Sequence, residues 1–224
     1  MILAAKCSPN KVILSDVCRA GLKAVELYLT EDLLANVGEM TKLCRSFPLR
    51  YAVHAPNEGY AIKELAELAK AINAEVVVFH NNYWEDEWVD IVNRFKGIPG
   101  RLCIENIYSV NEPVKFMRRY KIGRCLDLEH LQMQGAGIYE EGFIPIMTEA
   151  GHVHLTGYYY GSSLWHTHIH YSSKHNSYIL DLLKCVGYTG FVVSEAKISL
   201  QTYAEFKGLN EFFKGWENGS LGKR

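Results

Sequence analysis

Eight short apolar runs, rich in β-branched residues and separated by amphipathic helical segments, predict a single (β/α)8 TIM barrel of the α/β class. The 224-residue length suits one such barrel near the short end of the usual size range. No G-x-G-x-x-G or P-loop follows any run, which disfavours a doubly wound open sheet and implies no nucleotide cofactor.

The runs come in order. MILAA (1–5) and AVELYL (24–29) open the chain, followed by the helical stretch EDLLANVGEMTKLCRS (31–46). RYAVHA (50–55) precedes IKELAELAKAIN (62–73), where Leu65, Leu68, Ala69 and Ile72 repeat at i, i+3, i+4, i+7, the spacing of a buried helix face. EVVVFH (75–80) leads into EDEWVDIVNRFK (85–96), and RLCIEN (101–106) and GRCLDL (123–128) follow. HVHLT (152–156), the helical SYILDLLKCVG (177–187) and FVVSEA (191–196) complete the count. The barrel domain is expected over 1–216, and the polar tail ENGSLGKR (217–224) reads as disordered.

Composition narrows the function classes. Charge is balanced, with 24 Lys+Arg against 25 Asp+Glu, which argues against a nucleic-acid partner without excluding a local basic groove. No apolar run approaches the ~20 residues that span a bilayer, so no membrane partner is expected. The start is too short in apolar residues for a signal-peptide core. The six cysteines are scattered with no C-x-x-C, which reads as buried reduced thiols in a cytoplasmic protein.

The ionisable residues sit in a pattern. His54, His80, Glu105, Asp127, His154 and Glu195 each stand at the C-terminal end of a run, six of eight in all. Burying unpaired charge costs several kcal/mol, so apolar strands do not end this way repeatedly without a reason. In a parallel barrel these ends share one rim, where active sites are built. Converging imidazoles and carboxylates there are metal ligands, acid/base groups, or both. Individually each has a structural reading: Glu105 pairing with a helix start, Asp127 capping the turn before His130, Glu195 pairing with Lys197. Lys6, at the end of the first run, could reach the pocket but reads better as an exposed lysine, His152 as structural and deeper in the barrel, and His170 as a neighbour.

On VHAP (53–56), VVFH (77–80), IEN (104–106), LDLEHL (126–131), HVHL (152–155) and VVSEA (192–196), the chain resembles the xylose isomerase-like TIM barrels. That superfamily includes the sugar phosphate isomerases and epimerases and the AP-endonuclease family 2 enzymes. The ordered set covers about two-thirds of the chain. The resemblance implies a divalent metal (Zn, Mn, Co or Mg) held by Glu105, Asp127, His154 and Glu195. It further implies, in nuclease-like members, a second metal at His54 and His80 bridged by Glu105, and a third at His130 and the pair His166 and His168. In epimerase-like members the residue at His130 contacts substrate instead. The chain departs from the pattern at Thr156-Gly157, where Lys-Asp or Asn-Asp is usual. It departs again at Tyr171-Ser172-Ser173, in place of Gly-Glu-Gly, and at Tyr160, where some epimerases carry a sugar-binding arginine.

Three functions follow. The first is a metal-dependent sugar isomerase or epimerase, with Glu105 and Glu195 as the catalytic proton carriers and a small-molecule sugar as partner. The second is a two- or three-metal phosphoester hydrolase resembling an apurinic-site endonuclease. The third is a barrel that keeps its ligands for a structural or sensing metal. Aromatics near the rim (Tyr60, Tyr83, Trp84, Tyr108, Tyr158, Tyr159, Tyr160, Trp165) suit stacking on a ring; Tyr83, Trp84, Tyr108 and Trp165, with His130, are the expected substrate contacts.

Overall fold

The computed structural model describes residues 1–134, 140–158 and 164–219. In chain order it holds β1 (Ile2–Cys7), α1 (Lys11–Arg19), β2 (Ala24–Tyr28), α2 (Glu31–Leu34), α3 (Val37–Arg45), β3 (Arg50–His54) and α4 (Ile62–Ala71). Next come β4 (Val76–Phe79), α5 (Glu85–Arg94), β5 (Arg101–Glu105), α6 (Glu112–Tyr120), β6 (Gly123–Asp127), α7 (Leu128–Gln134) and α8 (Ile144–Met147). β7 (Ala150–Leu155), α9 (Ser173–Cys185), β8 (Phe191–Ser194) and α10 (Tyr203–Glu217) finish the fold. Each strand pairs in parallel with the next, and β8 returns onto β1 through Ile2↔Phe191 and Leu3↔Val192. The barrel is closed.

Two local expectations change. The stretch 31–46 is two helices, because the Asn36 side chain accepts a hydrogen bond from the Glu39 N–H and starts α3 afresh. Of the expected tail, Glu217 lies in α10 and Asn218 is its C-cap, while 220–224 fall outside the described residues. No helix among the described residues is long and apolar enough to cross a membrane.

Strand side chains alternate faces, and the alternation sorts the barrel into two cores. Leu3, Val25, Leu27, Val53, Val77, Phe79, Ile104, Leu126, Val153 and Val192 point outward and pack under the helices, with Leu65, Leu68, Ile91, Ile179 and Phe206. The inner core is smaller and made of Ala4, Ala24, Ala52, Val76, Val78, Cys103, Cys125, Phe191 and Val193. Two residues beyond these inward positions, at the C-terminal rim, stand Lys6, Glu26, His54, His80, Glu105, Asp127 and Glu195; His154 completes the set two residues after the inward His152. All eight strands therefore end their inner stripe on a polar group.

Candidate active site

Glu105 is the hub of one half of the rim. His54 Nε2 lies 3.1 Å and His80 Nε2 3.3 Å from its Oε2. The other ring nitrogen of His54, Nδ1, donates to the Ala55 carbonyl at 2.9 Å. A neutral His54 therefore turns a bare nitrogen toward a carboxylate oxygen, an arrangement that needs a cation or a proton between them. Glu105, Asp127 and His130 also bring ligand atoms within 4.8 Å of one another. Asp127 is fixed from below: the Asn106 side chain donates to its carbonyl at 3.0 Å and accepts from its N–H at 2.9 Å. Its Oδ1 takes the His130 N–H at 2.7 Å, so the loop after β6 is built onto the carboxylate.

The other half centres on His154. Its Nε2 donates to Glu26 at 3.1 Å, which aims Nδ1 at Glu195, 2.8 Å away, and Glu105, 3.5 Å away. A carboxylate behind a histidine fixes its orientation and raises its basicity, the usual support of a metal-ligating imidazole. His152 Nε2 donates to the same Glu26 carboxylate at 2.6 Å, one layer deeper, and also brings a ligand atom within 4.8 Å of those of Cys125 and His154. The expectation for Lys6 is overturned: its ammonium is hydrogen-bonded to Glu195, lies 3.4 Å from Glu26, and its side chain is only 14% exposed. Two buried acids held the lysine inside.

The electrostatics follow this geometry. Burial by itself would raise the Glu195 carboxyl, yet Lys6 and His154 hold it down to about 2. Burial likewise opposes ionisation of Glu26 and Glu105. His154 and Lys6 at Glu26, and His154, His54 and His80 at Glu105, hold both well below the carboxylate range. Asp127 goes the other way, raised well above its usual range by burial and then by the charges of Glu105 and Glu195. Burial pushes nearby Glu129 up to about 7. Four buried acids, Glu26, Glu105, Asp127 and Glu195, set against Lys6 and the histidines leave the rim short of positive charge. A divalent cation would supply it, and the mixed imidazole and carboxylate donors suit Zn²⁺ or Mn²⁺. The residues present fit a metal.

A cavity of about 320 Å³ opens over this rim, lined by Lys6, Tyr28, His54, His80, Glu105, His130, His166 and Glu195. A larger hollow of about 610 Å³ lies at the opposite end, against the strand starts, and holds none of these groups.

The histidine pair of the loop after β7 separates. His166 lines the cavity, 3.8 Å from Glu129, on backbone at φ 45°. His168 does not: it is fully buried, with Nδ1 3.0 Å from the Ser194 hydroxyl and Nε2 donating to the Leu200 carbonyl at 3.2 Å. With both nitrogens engaged away from the cavity, His168 is a structural residue, and the expectation of a ligand there is corrected. The cause is Gly157, whose N–H donates to the Thr167 carbonyl at 2.7 Å. A Cβ at Gly157 would meet Thr167 Oγ1 at 2.2 Å, so glycine lets the loop fold back tightly and carry His168 past the rim.

The aromatic expectations also change. Tyr83 packs against Phe79 and Trp88 and donates its hydroxyl to the Pro56 carbonyl at 3.1 Å. Trp84 and Tyr108 are 79% and 78% exposed and stand outside the cavity lining. Trp165 sits edge-on to His166, 4.8 Å between ring centres, one step behind the wall. Tyr159 and Tyr160 lie outside the described residues. Tyr28, not singled out in the sequence, is the aromatic that lines the cavity among the described residues, 6.1 Å from His54.

No family model and no curated protein matches the sequence. Solved structures do. A D-allulose 3-epimerase from Methylomonas sp. superposes with a TM-score of 0.68 at 12% identity, over 96% of this chain and 98% of that one. An L-ribulose 3-epimerase gives 0.59 at 14% identity over 100% of both chains, and SacUVDE gives 0.57 at 11% over 99% and 100%. The chain has the fold of these barrels. They are consistent with the xylose isomerase-like resemblance of its sequence, and at such identities the likeness is one of fold.

Proposed function

We propose that the protein is a divalent-metal-dependent sugar, or sugar phosphate, isomerase or epimerase. The observation that carries this reading is the placement of Glu105 and Glu195 on either side of His154, 3.5 and 2.8 Å from its Nδ1, under one cavity wide enough for a small polyol. The epimerase structures that share the fold support it. Glu105, Asp127, His154 and Glu195 are the residues from which the metal would be held. Bound there, a divalent cation would polarise the substrate carbonyl and stabilise the negative charge left when the adjacent carbon loses its proton. Glu195, ionised and facing the cavity, takes that proton; Glu105, across His154, returns one to the neighbouring carbon or the opposite face. His130 and His166, on the wall, donate to substrate hydroxyls, and the buried His54 and half-buried His80 keep Glu105 oriented. Aldose–ketose conversion or C3 epimerisation is expected with added Mn²⁺, Co²⁺ or Mg²⁺; silence across a broad panel of sugars and sugar phosphates would refute it.

A second reading, a two-metal phosphoester hydrolase, is favoured by the His54–His80–Glu105 triad, a metal-ligand set in its own right. The position of His168 removes one of the ligands a third metal needs. Metal content separates the two: one ion per chain for the isomerase, two for the hydrolase.

A further inference from the structure

The rim holds a cation of its own. Glu26, His154 and Glu195 present ligand atoms within 4.8 Å of one another, a set that by composition suits a divalent ion. Yet the Lys6 ammonium already occupies that corner, bonded to Glu195 and 3.4 Å from Glu26 Oε1. Lysine presents a compact point charge with three donors, the closest a side chain comes to a bound cation. The opposite half, at Glu105, has no lysine bonded to it among the described residues: there a bare His54 nitrogen faces a carboxylate oxygen at 3.1 Å and Asp127 lies alongside.

We propose that Lys6 is the resident cation of the Glu26–His154–Glu195 corner, and that the exchangeable metal seats on the Glu105 side, with Asp127, His54, His80 and His130. This rests on the metal-dependent reading above and changes its ligand set: Glu105 and Asp127 stay, His154 and Glu195 leave, and His54, His80 or His130 join from the two groups that share Glu105. An ammonium and a divalent ion repel each other at this range, so the corner takes one or the other. Glu195 then meets substrate as a carboxylate held by lysine, with its basicity set by an ammonium that the cavity also reaches. The two proton carriers are unequal by construction, one tied to the metal and one to Lys6.

Binding of Zn²⁺ and Mn²⁺ to the metal-stripped full chain, followed by calorimetry and by metal analysis after dialysis, tests this without any sugar. In the otherwise unaltered protein, Glu105→Gln is expected to weaken binding by more than about 100-fold, and Glu195→Gln by less than about threefold, beyond and below what outer-shell changes cost. Lys6→Met is expected to gain one further ion per chain, and Lys6→Met with Glu195→Gln to lose it again; Lys6→Arg keeps the original stoichiometry. The assignment is overturned if Glu195→Gln weakens binding as much as Glu105→Gln, or if a folded Lys6→Met gains no ion. Should Lys6→Met not fold, the two glutamate variants decide alone. Binding through Glu195 sinks only the Lys6 assignment, whereas no binding in any variant sinks the metal-dependent function with it.

Discussion

Replacing Glu26 by Gln probes the group that ties the two layers of the barrel interior together. Glu26 is fully buried and meets His152 at 2.6 Å, His154 at 3.1 Å and Lys6 at 3.4 Å. At an effective dielectric of about 20, a pair of unit charges 3.4 Å apart is worth about 5 kcal/mol. Measured losses on breaking buried pairs run at about 3–5 kcal/mol, because the surviving charge is left without its partner. For a barrel of this length each kcal/mol moves Tm by about 2–4 °C, so Glu26→Gln is expected to lower Tm by about 6–20 °C at pH 7. The sign with pH is fixed. The folded carboxyl is held below its unfolded value, so its contribution is complete above the unfolded pKa of 4.5 and is lost as pH falls toward the folded one. The difference between the two proteins should therefore shrink on acidification below that point. Thermal unfolding followed by near-ultraviolet circular dichroism from pH 3 to 8 measures both. A loss under about 1 kcal/mol at pH 7, or a gap that widens in acid, would show that Glu26 does not hold the network.

His168 is neutral in the fold: burial, against the bond to the Leu200 carbonyl, lowers its pKa from 6.5 to about 4. Stability is therefore full above pH 6.5 and falls as pH drops toward 4, by up to about 3 kcal/mol; His168→Gln should flatten that slope in acid titrations of unfolding while leaving metal content unchanged. Glu105→Gln is expected to cut kcat by about 10²–10⁴ on whichever sugar turns over, with loss of metal; a tenfold or smaller effect would remove Glu105 from the chemistry. Trp165→Ala tests the wall behind His166: an aromatic contact of about 0.5–1.5 kcal/mol corresponds to a KM rise of about twofold to tenfold. An unchanged KM assigns Trp165 to packing.

The sequence carried most of this rim because a strand repeats every two residues. His54, His80, Glu105, Asp127, His154 and Glu195 were visible at run ends, and the barrel brings them to one cavity or its floor. Lys6 and Glu26 were equally legible by the same rule, two residues past Ala4 and Ala24, but Lys6 lies beyond the end of its run as read and Glu26 in the middle of one. His168 was not legible, since its fate depends on how the chain passes Gly157, a contact between distant backbone segments. The same holds for Trp84 and Tyr108, whose exposure is set by where α5 and α6 begin.

The inner stripes make a further point about cost. A barrel of this size fills its centre with side chains, and the ordinary filling is branched and apolar. Here the floor holds Ala4, Ala24 and Ala52 on three adjacent strands, small residues opposite His152 and beneath Glu26. Had stability alone shaped this centre, apolar groups in place of Glu26 and His152 would have served as well or better, since a buried ion network recovers little beyond its own desolvation. What the network does accomplish is to point one nitrogen of His154 upward and to keep Lys6 and Glu195 paired at the rim. Polar groups retained against a packing alternative mark function. They run two layers deep only at β7, where His152 lies beneath His154, while β1, β2 and β8 carry Ala4, Ala24 and Val193 in the layer beneath Lys6, Glu26 and Glu195.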